Sequence, residues 1–206
     1  MDPLPELRVT VFSDYICPFC FIGALRLDRL RSDFDLKVNW AFLEIHPDTP
    51  REGRPVDELE YGRARWSEMM AGLDDMAREE CVEFGSLARL ANSRPALRLA
   101  EAVKEEGAER FYRLHRRLFE AYFCEGVDIG DMDELRRLSI ECGLGRGAPM
   151  RAMEDESVTQ RLNHYQKMAY QVAVTGTPTY VINGQKLVGA VSLERLLSAA
   201  RLPGEA

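Results

Sequence analysis

The sequence predicts an α/β fold in the order βαβ, helices, ββα, with one sheet built from both ends of the chain and an all-helical block inserted between them. Three observations carry this. A β-branched, apolar run, "LRVTVF" at 7–12, leads straight into "CPFC" at 17–20. Between about residues 58 and 158 helical segments repeat and no convincing strand is found. Strand character then returns at "TGTPTYVINGQKLVG", and "SLERLLSAARL" closes the chain as an amphipathic helix. The predicted division is a discontinuous sheet domain at 1–57 and 158–206 and an inserted helical domain at 58–157.

Each element has its own signal. "LRVTVF" is bounded by Pro5 and by "SD", as a buried strand would be. From Pro18 onward Phe21, Leu25 and Leu30 recur near helical spacing. Pro18 suits the first turn, where its missing N–H would be unpaired anyway, so Cys17 falls at or just before a helix N-terminus. "LKVNWAFLEI" at 36–45 is a second strand, far enough from the first for a helical crossover between parallel strands. "HPDTPREGRPVDE", with three prolines and a glycine, marks a loop or boundary.

In the insertion, "YGRARWSEMMAGLDDMAREECVEF" reads as one or two helices. "NSRPALRLAEAVKEEG" starts on capping residues with Pro95 and stops at Gly107, and "AERFYRLHRRLFEAYFCEG" ends at Gly126. "DMDELRRLSIECG" has Asp131 as N-cap and Gly143 as stop; a further helix starts at Asp155 or Ser157. In the tail, "TYVIN" and "QKLVG" flank Asn183-Gly184, a strong two-residue hairpin turn.

Composition narrows the function. The 206 residues leave room for a proper core without disulfide staples. Lys plus Arg is 27 against 34 for Asp plus Glu, a net charge of -7, and no segment gathers enough like charge to suggest nucleic acid as a partner. No apolar run approaches the roughly 20 residues that span a bilayer, so no membrane partner is expected. "MDPLPELRVTVF" lacks a basic start followed by a long apolar run, and the expectation is a soluble, cytoplasmic protein. The five cysteines, an odd count with one close pair, do not resemble a secreted disulfide framework.

A thiol is nucleophilic as thiolate, and a helix N-terminus stabilises that anion through its unpaired N–H groups and dipole. Cys17 has that position, and Cys20, three residues on, lies one turn deeper on the same face, placed to resolve a mixed disulfide made by Cys17. Zinc is the main rival reading, but there is no second CxxC or HxxxH, and His46, His115 and His164 are isolated from one another, so no metal is expected. Inert buried thiols are a further alternative, one that leaves the placement between strand and helix without a reason. "GTPT" supplies the second piece: Pro178 precedes a strand and pushes Thr177 to extended geometry, with a trans bond as the ordinary expectation.

Taken together, "SDYICPFCFIGALRLDRL", "NSRPALRLAEAVKEEG", "LFEAYFCEGVDIGDMDEL" and "GTPTYVINGQKLVGA" resemble the DsbA-type thioredoxin-fold oxidoreductases, and within them the FrnE-like branch, over nearly the whole chain. The resemblance implies a thioredoxin fold with a DsbA-like helical insertion and a thiol–disulfide oxidoreductase or isomerase activity. It further implies a cis Thr177-Pro178 bond beside a redox-active Cys17–Cys20 disulfide, with backbone next to Pro178 free to hydrogen-bond an extended substrate. Cys17 takes the role of exposed nucleophile and Cys20 that of resolving thiol. Thr177 and Pro178 shape the groove, and Pro18 and Phe19, where relatives have Pro-Trp or Pro-His, tune the potential. No cofactor beyond the disulfide is implied; protein or small-molecule thiols and disulfides are the expected partners, glutathione among them as a co-substrate. A glutathione-dependent branch, the 2-hydroxychromene-2-carboxylate isomerase type, shares the architecture but places a serine at the position of Cys17, and a non-catalytic chaperone or ligand carrier is the third alternative.

Other residues carry weaker signals. Asp14 and Tyr15 flank the motif, where they could tune the thiolate or contact substrate, but read first as turn formers at a strand end. Phe21 reads as core, His46 as a surface loop residue, and His115 and His164 as structural or solvated. Cys81, Cys124 and Cys142 read as small hydrophobes at helix ends, and Met69, Met70 and Met76 with Trp66 as a core stripe.

Overall fold

The structure, a computed structural model, describes residues 3–58 and 62–202; the side chains of Trp66 and Met70 lie outside what is described. The main sheet has four strands in the order β2-β1-β5-β6: β1 (Glu6–Ser13), β2 (Asp35–Phe42), β5 (Thr179–Ile182) and β6 (Gln185–Val188). β1 runs parallel to β2 and antiparallel to β5, and β5 and β6 form the hairpin turned at Asn183-Gly184, both at positive φ. α1 (Pro18–Asp28) is the crossover between β1 and β2, and α8 (Leu193–Ala200), capped by the Ser192 hydroxyl, closes the chain. This is the thioredoxin-type βαβ…ββα order.

Alternation along the strands divides the core between two faces. Phe12 and Ala41 pack with Ala169 of α7 (Glu156–Gln171) on one side. Val9, Val11, Tyr180 and Ile182 join α1 and α8 side chains on the other, in a cluster that continues without a break into the insertion through Phe21, Phe119 and Phe123. The 157/158 boundary therefore falls at the start of α7, a helix that itself covers the sheet.

The insertion is mainly helical: α2 (Gly62–Glu79), α3 (Arg94–Val103), α4 (Ala108–Phe123), α5 (Met132–Glu141) and α6 (Ala148–Glu154). The expected stops at Gly107, Gly126 and Gly143 have φ of 107°, 69° and 75°, and Asp131 and Asp155 cap α5 and α7 with side-chain acceptors. Three expectations need correction. A two-residue pair, β3 (Arg54–Pro55) with β4 (Arg89–Leu90), brings a strand into the insertion; its partners are 34 or more residues apart, so local pattern does not show it. The seven-residue α6 was not foreseen either; Arg98 holds it to α7 by donating to the carbonyls of Ala152, Met153 and Asp155 and to Thr159 Oγ1. β2 stops at Phe42 instead of continuing to residue 45, because the Asp14 carboxylate takes the Ile45 N–H at 2.8 Å.

Candidate active site

Sheet register builds this site. Phe12 pairs with Thr179 and Val11 with Tyr180, which fixes Pro178 beside the end of β1, four residues before Cys17. The Thr177-Pro178 bond is cis. Cys17 is the N-cap of α1, with Pro18 in the first turn as expected. Its thiol donates to the Thr177 carbonyl at 3.4 Å, joining two segments 160 residues apart. The position is more covered than the resemblance implies: Cys17 is 5% exposed and Cys20 1%, because the Thr177-Pro178 loop lies over the helix start. Phe19 is half-buried and packs against the buried cluster of Ile22 with Leu73 and Ala77 of α2, while Phe21 is core.

The two thiols titrate in opposite directions. The Cys17 pKa is lowered, first by hydrogen bonding from the Cys20 thiol and then by Thr177 and the Cys20 backbone N–H, against burial and the negative charge of Asp14. The helix N-terminus acts in the same sense. Burial, reinforced by Cys17 itself, pushes Cys20 well above its ordinary value. One thiolate therefore forms at the outer sulfur, with a protonated thiol behind it that can donate to it.

Asp14 proves more than a turn former. It is fully buried, accepting from Ile16 N at 3.3 Å, Ile45 N at 2.8 Å and the Ser93 hydroxyl at 3.1 Å, so one carboxylate ties the cysteine loop to β2 and to the entry of α3. Burial outweighs these donors and raises its pKa to about 7. Tyr180 carries no signal in the sequence. Its hydroxyl is buried without a hydrogen-bond partner and sits where a Cβ on Gly23 would fall, 2.0 Å away, with Pro178 Cγ at 3.1 Å. Burial and the charges of Cys20 and Cys17 raise its pKa, so it stays a neutral phenol beside the redox pair. "SDYIC" holds a hint of the first, an acid next to a nucleophile in an apolar run; nothing local signals the second.

The remaining residues fall away from the site. Tyr15 is core, its hydroxyl 2.7 Å from His115 Nδ1. His46 is half-buried, 3.4 Å from Arg54 Nη2. Met69 and Met76 are partly buried against the core. Cys142 is buried and Cys124 half-buried, but Cys81 is exposed and at positive φ, so it is no small hydrophobe of the core. Among the described residues no three His, Cys, Asp or Glu side chains cluster as a metal site, and no helix is long and apolar enough to cross a membrane.

A groove of about 490 Å³ leaves the Cys17 region beside Gly176 and Thr177 and runs between α7 and α3, lined by Ile45, Arg94, Leu162 and Gln166. Loop backbone from the sheet domain and side chains from the insertion thus share one cleft.

Known proteins share this fold. A Bacillus subtilis (strain 168) protein described as the uncharacterized protein YwbO is 28% identical over 187 residues, 89% of this chain and 90% of its own. The solved structure of a probable DsbA oxidoreductase from Streptomyces coelicolor superposes with a TM-score of 0.84 at 22% identity, covering 98% of this chain and 94% of that one. A 2-hydroxychromene-2-carboxylate isomerase superposes at 0.74 (19% identity, 93% of each chain). The cytosolic disulfide reductase DsbM from Pseudomonas aeruginosa, solved with GSH, superposes at 0.68 (18% identity, 94% of each). At such identities the structural likenesses establish the fold. The sequence profile of the DSBA-like thioredoxin domain matches residues 8–201, cysteine helix and proline loop both included, and so the chain belongs to the DSBA-like thioredoxin domain family.

Proposed function

We propose that the protein is a thiol–disulfide oxidoreductase in which Cys17 is the nucleophile and Cys20 the resolving thiol. The supporting observation is geometric: Cys17 is the N-cap of α1 with its thiol 3.4 Å from the Thr177 carbonyl, and Cys20 lies buried in the first turn behind it; a lowered Cys17 and a raised Cys20 pKa fit that division of roles. In the reducing direction the Cys17 thiolate attacks a substrate disulfide, a mixed disulfide forms, and the first substrate sulfur leaves as a thiol after protonation. Cys20 then loses its proton and attacks Cys17, releasing the second substrate thiol and leaving the Cys17–Cys20 disulfide. Run backwards, the same steps oxidise a substrate dithiol. The groove beside Thr177 suits an extended peptide or glutathione as the sulfur partner, and the absence of a second close cysteine pair in the sequence fits work in a reducing compartment such as the cytoplasm.

The test is turnover of insulin and of dye-labelled glutathione disulfide by the full chain, beside Cys17→Ser and Cys20→Ser variants. Both substitutions should abolish catalytic cycling, Cys17→Ser at the first step and Cys20→Ser at resolution. Activity on either substrate that survives Cys17→Ser would refute the assignment. Glutathione-dependent isomerase activity that survives Cys20→Ser would favour the isomerase reading instead.

A further inference from the structure

Two hydroxyl groups around the inner cysteine are left unanswered. Ser13 and Tyr180 are 1% and 0% exposed, and neither hydroxyl oxygen meets an N–H, O–H or carbonyl partner. Both side chains stand on the sheet face that α1 covers: Ser13 lies two residues beyond Val11 on β1, and Tyr180 is the cross-strand partner of Val11 on β5. The Tyr180 oxygen is 2.0 Å from the Cβ position of Gly23, which follows Cys20 by one turn on the same face of α1. What Ser13 reaches is the Cys20 sulfur, where its hydroxyl and the Asp14 backbone N–H partly offset the burial that raises the Cys20 pKa. The charge to which Tyr180 responds most strongly is also that of Cys20.

Buried hydroxyls without partners cost free energy, and native interiors rarely keep them without a cause. The chemistry of Cys20 supplies one. A neutral thiol is a weak acceptor, whereas a thiolate takes charge-assisted bonds about twice as strong as neutral ones. A hydroxyl hydrogen rotates, so both groups can turn to the sulfur when it ionises.

We propose that Ser13 and Tyr180 are catalytic hydrogen-bond donors that hold the Cys20 thiolate while the mixed disulfide on Cys17 is resolved. This rests on the exchange reading above and says where its transient charge is kept. In that step Cys20 gives up its proton and its sulfur attacks Cys17. The Cys20–Cys17 bond forms, the bond from Cys17 to the substrate sulfur breaks, and the substrate sulfur leaves with the electron pair and takes up a proton as a thiol. In reverse, a substrate thiolate opens the disulfide at Cys17, and Cys20 leaves as a thiolate facing the same two hydroxyls. Cys20 is a disulfide sulfur at one end of the step and a neutral thiol at the other, so the donors act on both rates and not on the balance between them.

The experiment mixes the reduced full chain with dye-labelled glutathione disulfide, quenches in acid at intervals, and counts free, mixed-disulfide and internal-disulfide forms by intact mass. Tyr180→Phe and Ser13→Ala each remove one hydroxyl with little change of shape. Each should slow resolution about threefold to tenfold relative to adduct formation. That is the loss of one charge-assisted bond, partly offset because a less stabilised thiolate is the better nucleophile. Opening of the oxidised pair by glutathione should slow by the same factor, leaving its equilibrium with glutathione within about twofold of wild type. If one variant does not fold, the other decides. Resolution at the wild-type rate, or slowing in one direction with a matching shift of the equilibrium, would overturn the donors while leaving the exchange reading intact. No adduct at Cys17 in either the wild type or Cys20→Ser would overturn both.

Discussion

At the scale of single residues, Asp14 shows how a burial cost becomes a pH dependence. Its folded pKa of about 7 stands above an ordinary value of 3.8, so the folded protein holds this proton more tightly than the unfolded chain. The stability linked to it is fully present below about 4 and is lost as pH rises towards 7, by roughly 4 kcal/mol at about 1.36 kcal/mol per unit. Urea midpoints measured between pH 4 and 8 should fall with pH in the wild type and lose that slope in Asp14→Asn. A slope unchanged in the variant would mean another group carries the proton. The same substitution removes a negative charge that raises the Cys17 pKa, so the pH profile of Cys17 alkylation should move to lower pH.

At the scale of elements, the contact between α1 and β5 depends on one missing atom. Gly23 is present because the Tyr180 hydroxyl occupies the place of its Cβ. Gly23→Ala should destabilise by about 1–3 kcal/mol through overpacking, and Tyr180→Phe should recover much of the loss by vacating that place. A denaturant-melt double-mutant cycle with no coupling would show that the helix shifts freely. This pairing was not legible in the sequence, since Gly23 and Tyr180 meet only through the fold. What was legible rests on local chemistry: Pro18 opening a helix, Asp131 and Asp155 as caps, Asn183-Gly184 turning a hairpin. Two-residue strands such as Arg54–Pro55 have no period to read, and "LGRGAPMRAME" hides a short helix behind glycines.

At the scale of the whole molecule, the insertion is fastened to the redox helix at both ends of the site. Ser93 at the start of α3 reaches Asp14. Arg26 of α1 donates to Glu79 and Glu80 beyond the cysteines, at 2.8 and 2.9 Å, and to the carbonyls of Ala190 and Val191. Arg26 and Glu80 are about 5% exposed, so Arg26→Leu would strand a buried carboxylate and should cost about 3 kcal/mol, with Arg29 still offering Glu80 partial relief. Hydrogen exchange should then quicken at the C-terminal end of α2 more than in the sheet; uniform change would deny α2 this anchor. The sequence resemblance led to the cysteine helix and the proline loop, but not to the depth at which Cys17 lies or to these fastenings, which depend on side chains distant in sequence.

The central claim is that Cys17 attacks and Cys20 resolves. Its most direct test is to expose the Cys20→Ser variant to a disulfide substrate and locate the adduct by peptide mass spectrometry. The account predicts a stable mixed disulfide at Cys17, and none accumulating in the wild type. Adducts that gather at Cys81, the exposed thiol, with Cys17 unmodified would contradict it.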